Sequence, residues 1–279
     1  MITWPVQLLE DFAAERVVLF IGSGVSRNSV GEDGITKPKT WYSFLRDTAT
    51  QLGILPKIDP YLQAKDYLTA LDLIRHGMPA QEYAKIVRKE YLTPGYGPAQ
   101  IHEAIYRLNC RIVLTPNFDK IYDVYVGEKS RGTIDVKEYH CPELAEFIRG
   151  DRRVVIKTHG SVDSHKLMIF GRKEYAQARV QYSLFYEILK ALILTHTFVF
   201  IGCGIDDPDI KLVLEDINFG AVGSRSHYFV SAQHAIDADM KNILRDTMNL
   251  SVIEYPYVAG SNNHSHLTTE IMALADLVT

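Results

Sequence analysis

Gly22-Ser23-Gly24 follows directly on the apolar run Val17 to Ile21, and a turn with so little side chain suits an anion. With no Cβ in the way the backbone can approach a phosphate, and the amides of Gly22, Ser23 and Gly24 can point their N–H groups at a pyrophosphate. Ser26 adds a hydroxyl, as a helix cap or as a phosphate donor. The competing reading is a purely structural turn, because Arg27 stands where the usual dinucleotide fingerprint needs a third small residue. Asn117 and His159 are the candidates for a reacting centre. An amide donates and accepts at once, which suits holding a hydroxyl and an attacking water, and an imidazole titrating near neutrality serves as a general base. Each has a plainer counterpart: Asn117 after Pro116 can cap a helix, and a histidine after a strand can be a hydrogen-bonded structural group. Cys203, between Gly202 and Gly204, reads as a small buried residue.

These groups lie far apart in sequence, so the elements that carry them must bring them together. Val17 to Ile21, Arg111 to Leu114, Val154 to Ile156 and Phe198 to Ile201 read as strands, and each ends in polar or glycine-rich residues. In a parallel α/β sheet all four carboxyl ends share one edge, where ligands bind. The predicted fold is α/β and Rossmann-like, with a mostly parallel central sheet and helices on both faces. Further strands are expected at Ile134 to Tyr139, Lys166 to Phe170, His227 to Ser231 and Ser251 to Tyr255. An acidic, amphipathic helix is expected through Glu15, and others at Lys120 to Val126 and Pro142 to Arg149. Four helices, Trp41 to Leu52, Pro60 to His76 capped by Asp59, Pro79 to Leu92, and Pro98 to Leu108, follow the first strand without a strand between them. They predict a helical insertion over residues 41–108, within a single domain spanning 1–279, able to wall or lid a cleft.

At 279 residues and 47% hydrophobic content the chain can bury a large core. A net charge of −4 gives no reason to expect direct nucleic-acid or membrane binding, and Arg149 to Arg153 with Lys157 reads as a solvated basic edge. Cys110, Cys141 and Cys203 form no C-x-x-C pair, which argues against a zinc knuckle or disulfide framework and for a reducing compartment. No targeting segment is read at the N-terminus and no apolar stretch is long enough to span a membrane, so a cytoplasmic location is expected. His264 and His266 on a polar loop read as solvent-exposed, and the sequons at Asn249 and Asn263 mean little in a cytosolic protein. His102-Glu103 lacks the second histidine of a zincin, and there is no P-loop.

Taken in order and spacing, Gly22-Ser23-Gly24-Val25-Ser26, Pro116-Asn117-Phe118-Asp119, His159-Gly160, and Phe200-Ile201-Gly202-Cys203-Gly204 with Asp207-Pro208 resemble the NAD-binding motifs of Sir2-like proteins over roughly residues 15 to 260. Trp41 adds to a likeness with the bacterial branch whose members act as NAD hydrolases in antiviral defence. The resemblance implies a sirtuin-like fold without the zinc module, NAD as substrate, no metal, and catalysis by Asn117 and His159. It also implies that Asp119 contacts the nicotinamide carboxamide, while Gly202, Cys203 and Gly204 lie against the adenosine ribose and phosphates. The implied reaction yields nicotinamide and ADP-ribose. An activity that drains a cofactor needs restraint, so a homo-oligomer or a separately encoded regulatory or sensor protein is expected. Protein deacylation, ADP-ribosyl transfer and non-catalytic sensing of NAD or ADP-ribose are the alternatives.

Overall fold

The run Val17–Ile21 forms a strand, β1, that is buried at every position. Its side chains alternate: Val17, Leu19 and Ile21 enter one apolar core, Val18 and Phe20 another. A strand with no polar face needs cover on both sides, as parallel strands in α/β proteins do. The other strands are β2 Ile112–Thr115, β3 Asp135–Glu138, β4 Val154–Lys157, β5 Thr197–Ile201, β6 His227–Ala232 and β7 Leu250–Tyr255. They form one sheet in the order β3-β4-β2-β1-β5-β6-β7, every pairing parallel. The protein is therefore a Rossmann-like α/β fold. This computed structural model describes residues 2–204, 211, 214, 215, 225–258 and 264–279; Asp207-Pro208 and Asn263 lie outside them.

The helices are α1 Val6–Ala13, α2 Ser23–Ser26, α3 Trp41–Gln51, α4 Leu55–Gln63, α5 Tyr67–Arg75, α6 Ala80–Tyr91, α7 Gln100–Arg107, α8 Ile121–Lys129, α9 Leu144–Arg149, α10 Arg172–Gln181, α11 Ser183–Thr195, α12 Ala238–Met248 and α13 Ser265–Val278. Helices α1, α7, α8 and α13 cover one face of the sheet, and α9 to α12 the other. A third core belongs to α3–α6, where Phe44, Leu45, Ile58 and Leu71 pack with Phe118, Met168 and Phe170 from the sheet's loops.

Four local expectations are corrected. Pro60 to His76 is not one helix: Pro60 lies inside α4, and the break falls at Lys65, whose φ is +56°. The side chain of Asp66 then accepts from the Thr69 amide at 3.2 Å and starts α5, so five helices, α3 to α7, not four, lie within residues 41–108. Lys166 to Phe170 is not a strand; a 3-10 helix, Val162–Leu167, runs into it, and among the described residues no sheet partner pairs with the remainder. Its side chains nevertheless alternate between two cores: Met168 and Phe170 enter the helical core, while Ile169 enters a sheet core. Lys157 is 1% exposed rather than part of a solvated edge. Its Nζ donates to the Asp119 carbonyl at 2.6 Å and to Asp123 at 2.7 Å, meeting the rule that a buried charge must be paired. The His264–His266 segment also differs from a bare loop: His264 stacks on Tyr257, its Nδ1 lies 2.7 Å from the Tyr255 hydroxyl, and His266 is in α13.

Candidate functional site

The four strands whose ends were singled out are neighbours, β4-β2-β1-β5, at the centre of the sheet. Their carboxyl ends border one cavity of about 360 Å³. Gly22, Ser23 and Ser26 reach it from β1, Asn117 and Asp119 from β2, His159 from β4, and Cys203 and Gly204 from β5. Of the candidate residues only Gly24 and Gly202 are not in its lining. Their glycines have a different reason. A Cβ on Gly24 would stand 2.8 Å from the Gly202 carbonyl oxygen, and one on Gly22 only 2.6 Å from it. Gly202 itself has φ +64°, and a Cβ there would lie 2.7 Å from the Val25 amide nitrogen. The β1 and β5 loops thus meet backbone to backbone. The amides of Gly22 and Gly24 donate to Ile201 and Gly202 carbonyls at 3.0 and 2.8 Å, so they are not the open phosphate cradle that the glycine spacing predicts.

The polar centre is an ordered relay. The buried Ser26 hydroxyl donates to Asp119 Oδ2 at 2.8 Å, while Asp119 Oδ1 accepts from the Ile121 amide at 3.0 Å. Ser26 Oγ, its proton committed to Asp119, can only accept from Asn117, and at 3.0 Å it does so from Nδ2. The same Nδ2 donates to the Gly22 carbonyl at 3.0 Å. Both amide hydrogens of Asn117 are therefore engaged by acceptors, which fixes the amide's orientation. What Asn117 retains for a ligand is its carbonyl Oδ1, an acceptor only, rather than the donor and acceptor the sequence suggests. Asn117 does not cap the helix that follows, whose N-cap is Lys120 and whose first amide is met by Asp119 Oδ1; Thr115 Oγ1 ties the end of β2 to the end of β1 by donating to the Ile21 carbonyl at 2.8 Å.

His159 is 7% exposed, with its ring between Phe118 and Tyr175 at 6.4 and 5.3 Å between centroids. Gly160 lets the chain turn behind it: φ is +79°, and a Cβ there would press to 2.9 Å on the Leu167 carbonyl. The Ile169 amide donates to the His159 carbonyl at 3.0 Å, anchoring the segment that carries Phe170. Burial pushes the Asp123 carboxyl upward, and the adjacent Lys157 ammonium pulls it back.

The opposite side of the cavity is aromatic and escapes motif reading. Trp41 stacks on Phe170 at 5.5 Å, and Phe118 meets Phe170 edge-on at 4.8 Å; Tyr42, Tyr67 and Tyr91 also border the cavity. Lys39 stands there too: burial lowers its affinity for the proton, but Glu90 and Asp47, at 3.0 and 3.1 Å, more than offset this. The helical spacing of Trp41 with Phe44 in α3 and of Val87 with Tyr91 in α6 is the signal that could have found this wall, but it reads equally as core. Among the described residues no group of three or more His, Cys, Asp or Glu is arranged to hold a metal ion, and no helix is long and apolar enough to cross a membrane.

Fold and site define a doubly wound α/β protein with one polar centre at the carboxyl edge of its sheet. The chain belongs to the SIR2-like domain family, whose sequence model matches residues 111–253, just over half of it. Relatives include the NAD(+) hydrolase ThsA of Enterococcus faecium, 24% identical over 218 residues that cover 76% of this chain and 42% of that protein. Defense-associated sirtuin 2 of Bacillus subtilis is 21% identical over 267 residues, covering 94% of this chain and 25% of that protein. The chain therefore spans less than half the length of these curated relatives. A solved structure concerned with the mechanism and regulation of Sir2 enzymes aligns over 97% of this chain and 96% of that one, at 14% identity and a TM-score of 0.42.

Proposed function

We propose that this chain hydrolyses NAD to nicotinamide and ADP-ribose, as an effector of antiphage defence. The observation that carries the reading is the shared cavity: Asn117, held by Ser26 and Gly22, and His159 both border it, with Ser23 and Gly204 on the same edge. Relatives named as an NAD hydrolase and as a defence-associated sirtuin support it.

The chemistry fits these groups. The C1′–N bond breaks with both electrons going to the nicotinamide nitrogen, which leaves as a neutral molecule and needs no general acid. Positive charge develops at C1′, as at other glycosidic centres. A water held by Asn117 Oδ1 adds its oxygen to C1′, and His159 accepts the proton it gives up. Ser23 and Gly204 hold the pyrophosphate, Asp119 faces the nicotinamide carboxamide, and the aromatic wall excludes bulk water. The protein acts in the cytoplasm as a homo-oligomer, restrained by that assembly or by a separately encoded partner.

Nicotinamide release from NAD, followed chromatographically for wild type, Asn117→Ala and His159→Ala, tests the reading. Both variants are expected to lose about a hundredfold or more in kcat with unchanged circular dichroism. Wild-type turnover in both would refute the assignment. NAD binding without release by the wild type, alone and with partner, would leave only a sensing role.

A further inference from the structure

Lys157 carries a charge into the core beneath the site, yet the reaction assigned to the cavity makes no use of it. The residue ends β4, opposite Thr115 at the end of β2 and two positions before His159. A fully buried lysine is costly, since it gives up both hydration and rotamer freedom, and an apolar side chain would fill the same volume without that cost. Its ammonium donates to Asp123 Oδ2, in the first turn of α8, and to the backbone carbonyl of Asp119. Asp119 is also the far end of the hydrogen-bond chain that orients Asn117, because its Oδ2 takes the Ser26 proton and leaves Ser26 Oγ to accept from Asn117. One β4 side chain thus grips the backbone of the residue whose carboxylate sets Asn117, and the same strand delivers His159. Backbone bonds join the two strand ends as well, from the Thr158 amide to the Thr115 carbonyl at 2.8 Å and from the Val162 amide to the Phe118 carbonyl at 3.0 Å. Lys157 reaches past both to Asp119.

We propose that Lys157 is a positioning residue for hydrolysis: by holding the Asp119 carbonyl it sets the Asp119 carboxylate against Ser26, and so keeps Asn117 Oδ1 in register with His159. The proposal rests on the hydrolytic reading of the cavity and adds to it the group that couples the β2 loop to β4. Asp123 supplies the counter-charge that lets the ammonium stay buried. A shift of about 1 Å between groups that must act on one water is enough to cost about a hundredfold in rate, so a tie between the two strands that carry them bears directly on turnover. A plain ion pair of the core would behave otherwise, because exchanging both of its charges for apolar groups would leave turnover as it was.

The test removes both charges of the pair together, as Lys157→Met with Asp123→Leu, so that neither is left unpaired in the core. The double variant is expected to melt within about 5 °C of the wild type, with kcat for nicotinamide release at least about tenfold lower and KM within about threefold. Asp123→Asn keeps an acceptor for the ammonium and keeps its bond to Asp119, so kcat should stay within about threefold of the wild type. A readout without substrate comes from the Asn117 side-chain amide, identified in nitrogen-15 correlation spectra by its loss in Asn117→Asp. Its hydrogens are expected to exchange with solvent at least about tenfold faster in the double variant, and at the wild-type rate in Asp123→Asn. Wild-type kcat or unchanged Asn117 exchange in the double variant would overturn the proposal, as would a tenfold loss of kcat in Asp123→Asn. Loss of the fold in the double variant would assign Lys157 to stability and overturn it as well. A wild type that releases no nicotinamide refutes the hydrolytic reading instead, and the exchange measurement then still decides whether Lys157 orients Asn117.

Discussion

The two sides of the main cavity are built on opposite principles. Its floor comes from strand ends, where the β1 and β5 loops touch backbone to backbone and a serine, an asparagine and an aspartate form one directed hydrogen-bond chain. Its wall comes from α3, α5 and α6, with Phe170 at the meeting point of several aromatic rings. The floor depends on atoms being absent, since one methyl on a glycine would meet a carbonyl at 2.6 to 2.8 Å. The wall depends on volume being present, and several ring shapes fill a volume equally well. A floor made this way holds geometry, whereas a wall made this way holds water out.

Three substitutions can break or sharpen that contrast. The largest effect is expected at the wall: Phe170→Ala empties the junction of the rings and should lower unfolding free energy by about 3–5 kcal/mol in urea denaturation. A loss below about 1 kcal/mol would mean the wall collapses to fill the gap. Next comes the floor, where Gly202→Ala must hold an alanine at φ +64° against the Val25 amide and should cost roughly 2–4 kcal/mol, a penalty unusual for a single added methyl. A neutral result would show that the two loops can part. Smallest is Trp41→Phe, which keeps an aromatic ring and removes an indole N–H that is buried without a hydrogen-bond partner. Its stability change should stay within about 1.5 kcal/mol, while KM for the dinucleotide rises if that N–H meets the bound ligand. An unchanged KM would confine Trp41 to packing.

The floor was legible in the sequence and the wall was not. Gly22, Ser23, Asn117, His159 and Gly204 stand at strand ends, and punctuation after an apolar run marks a strand end wherever it occurs. Phe170, in contrast, ends a short apolar run that reads as a strand, and only its burial among α3–α6 reveals it as part of the cavity wall. Lys157 was misread for the same reason, because a lysine beside an arginine cluster looks solvated until Asp123 and the Asp119 carbonyl are brought to it.

The sequence by itself determined the strands, their carboxyl ends and the residue types waiting there, because apolar runs and glycine turns are local properties that need no partner to be recognised. Tertiary structure alone decided that four of those ends lie side by side, that the glycines serve a loop-to-loop contact, and which atom of Asn117 is left for a ligand. Those outcomes depend on what approaches from elsewhere in the chain: a carbonyl from β5, a hydroxyl from α2, a carboxylate from the β2 loop. Hydrogen-bond direction is a property of the assembled network, and no residue carries it alone.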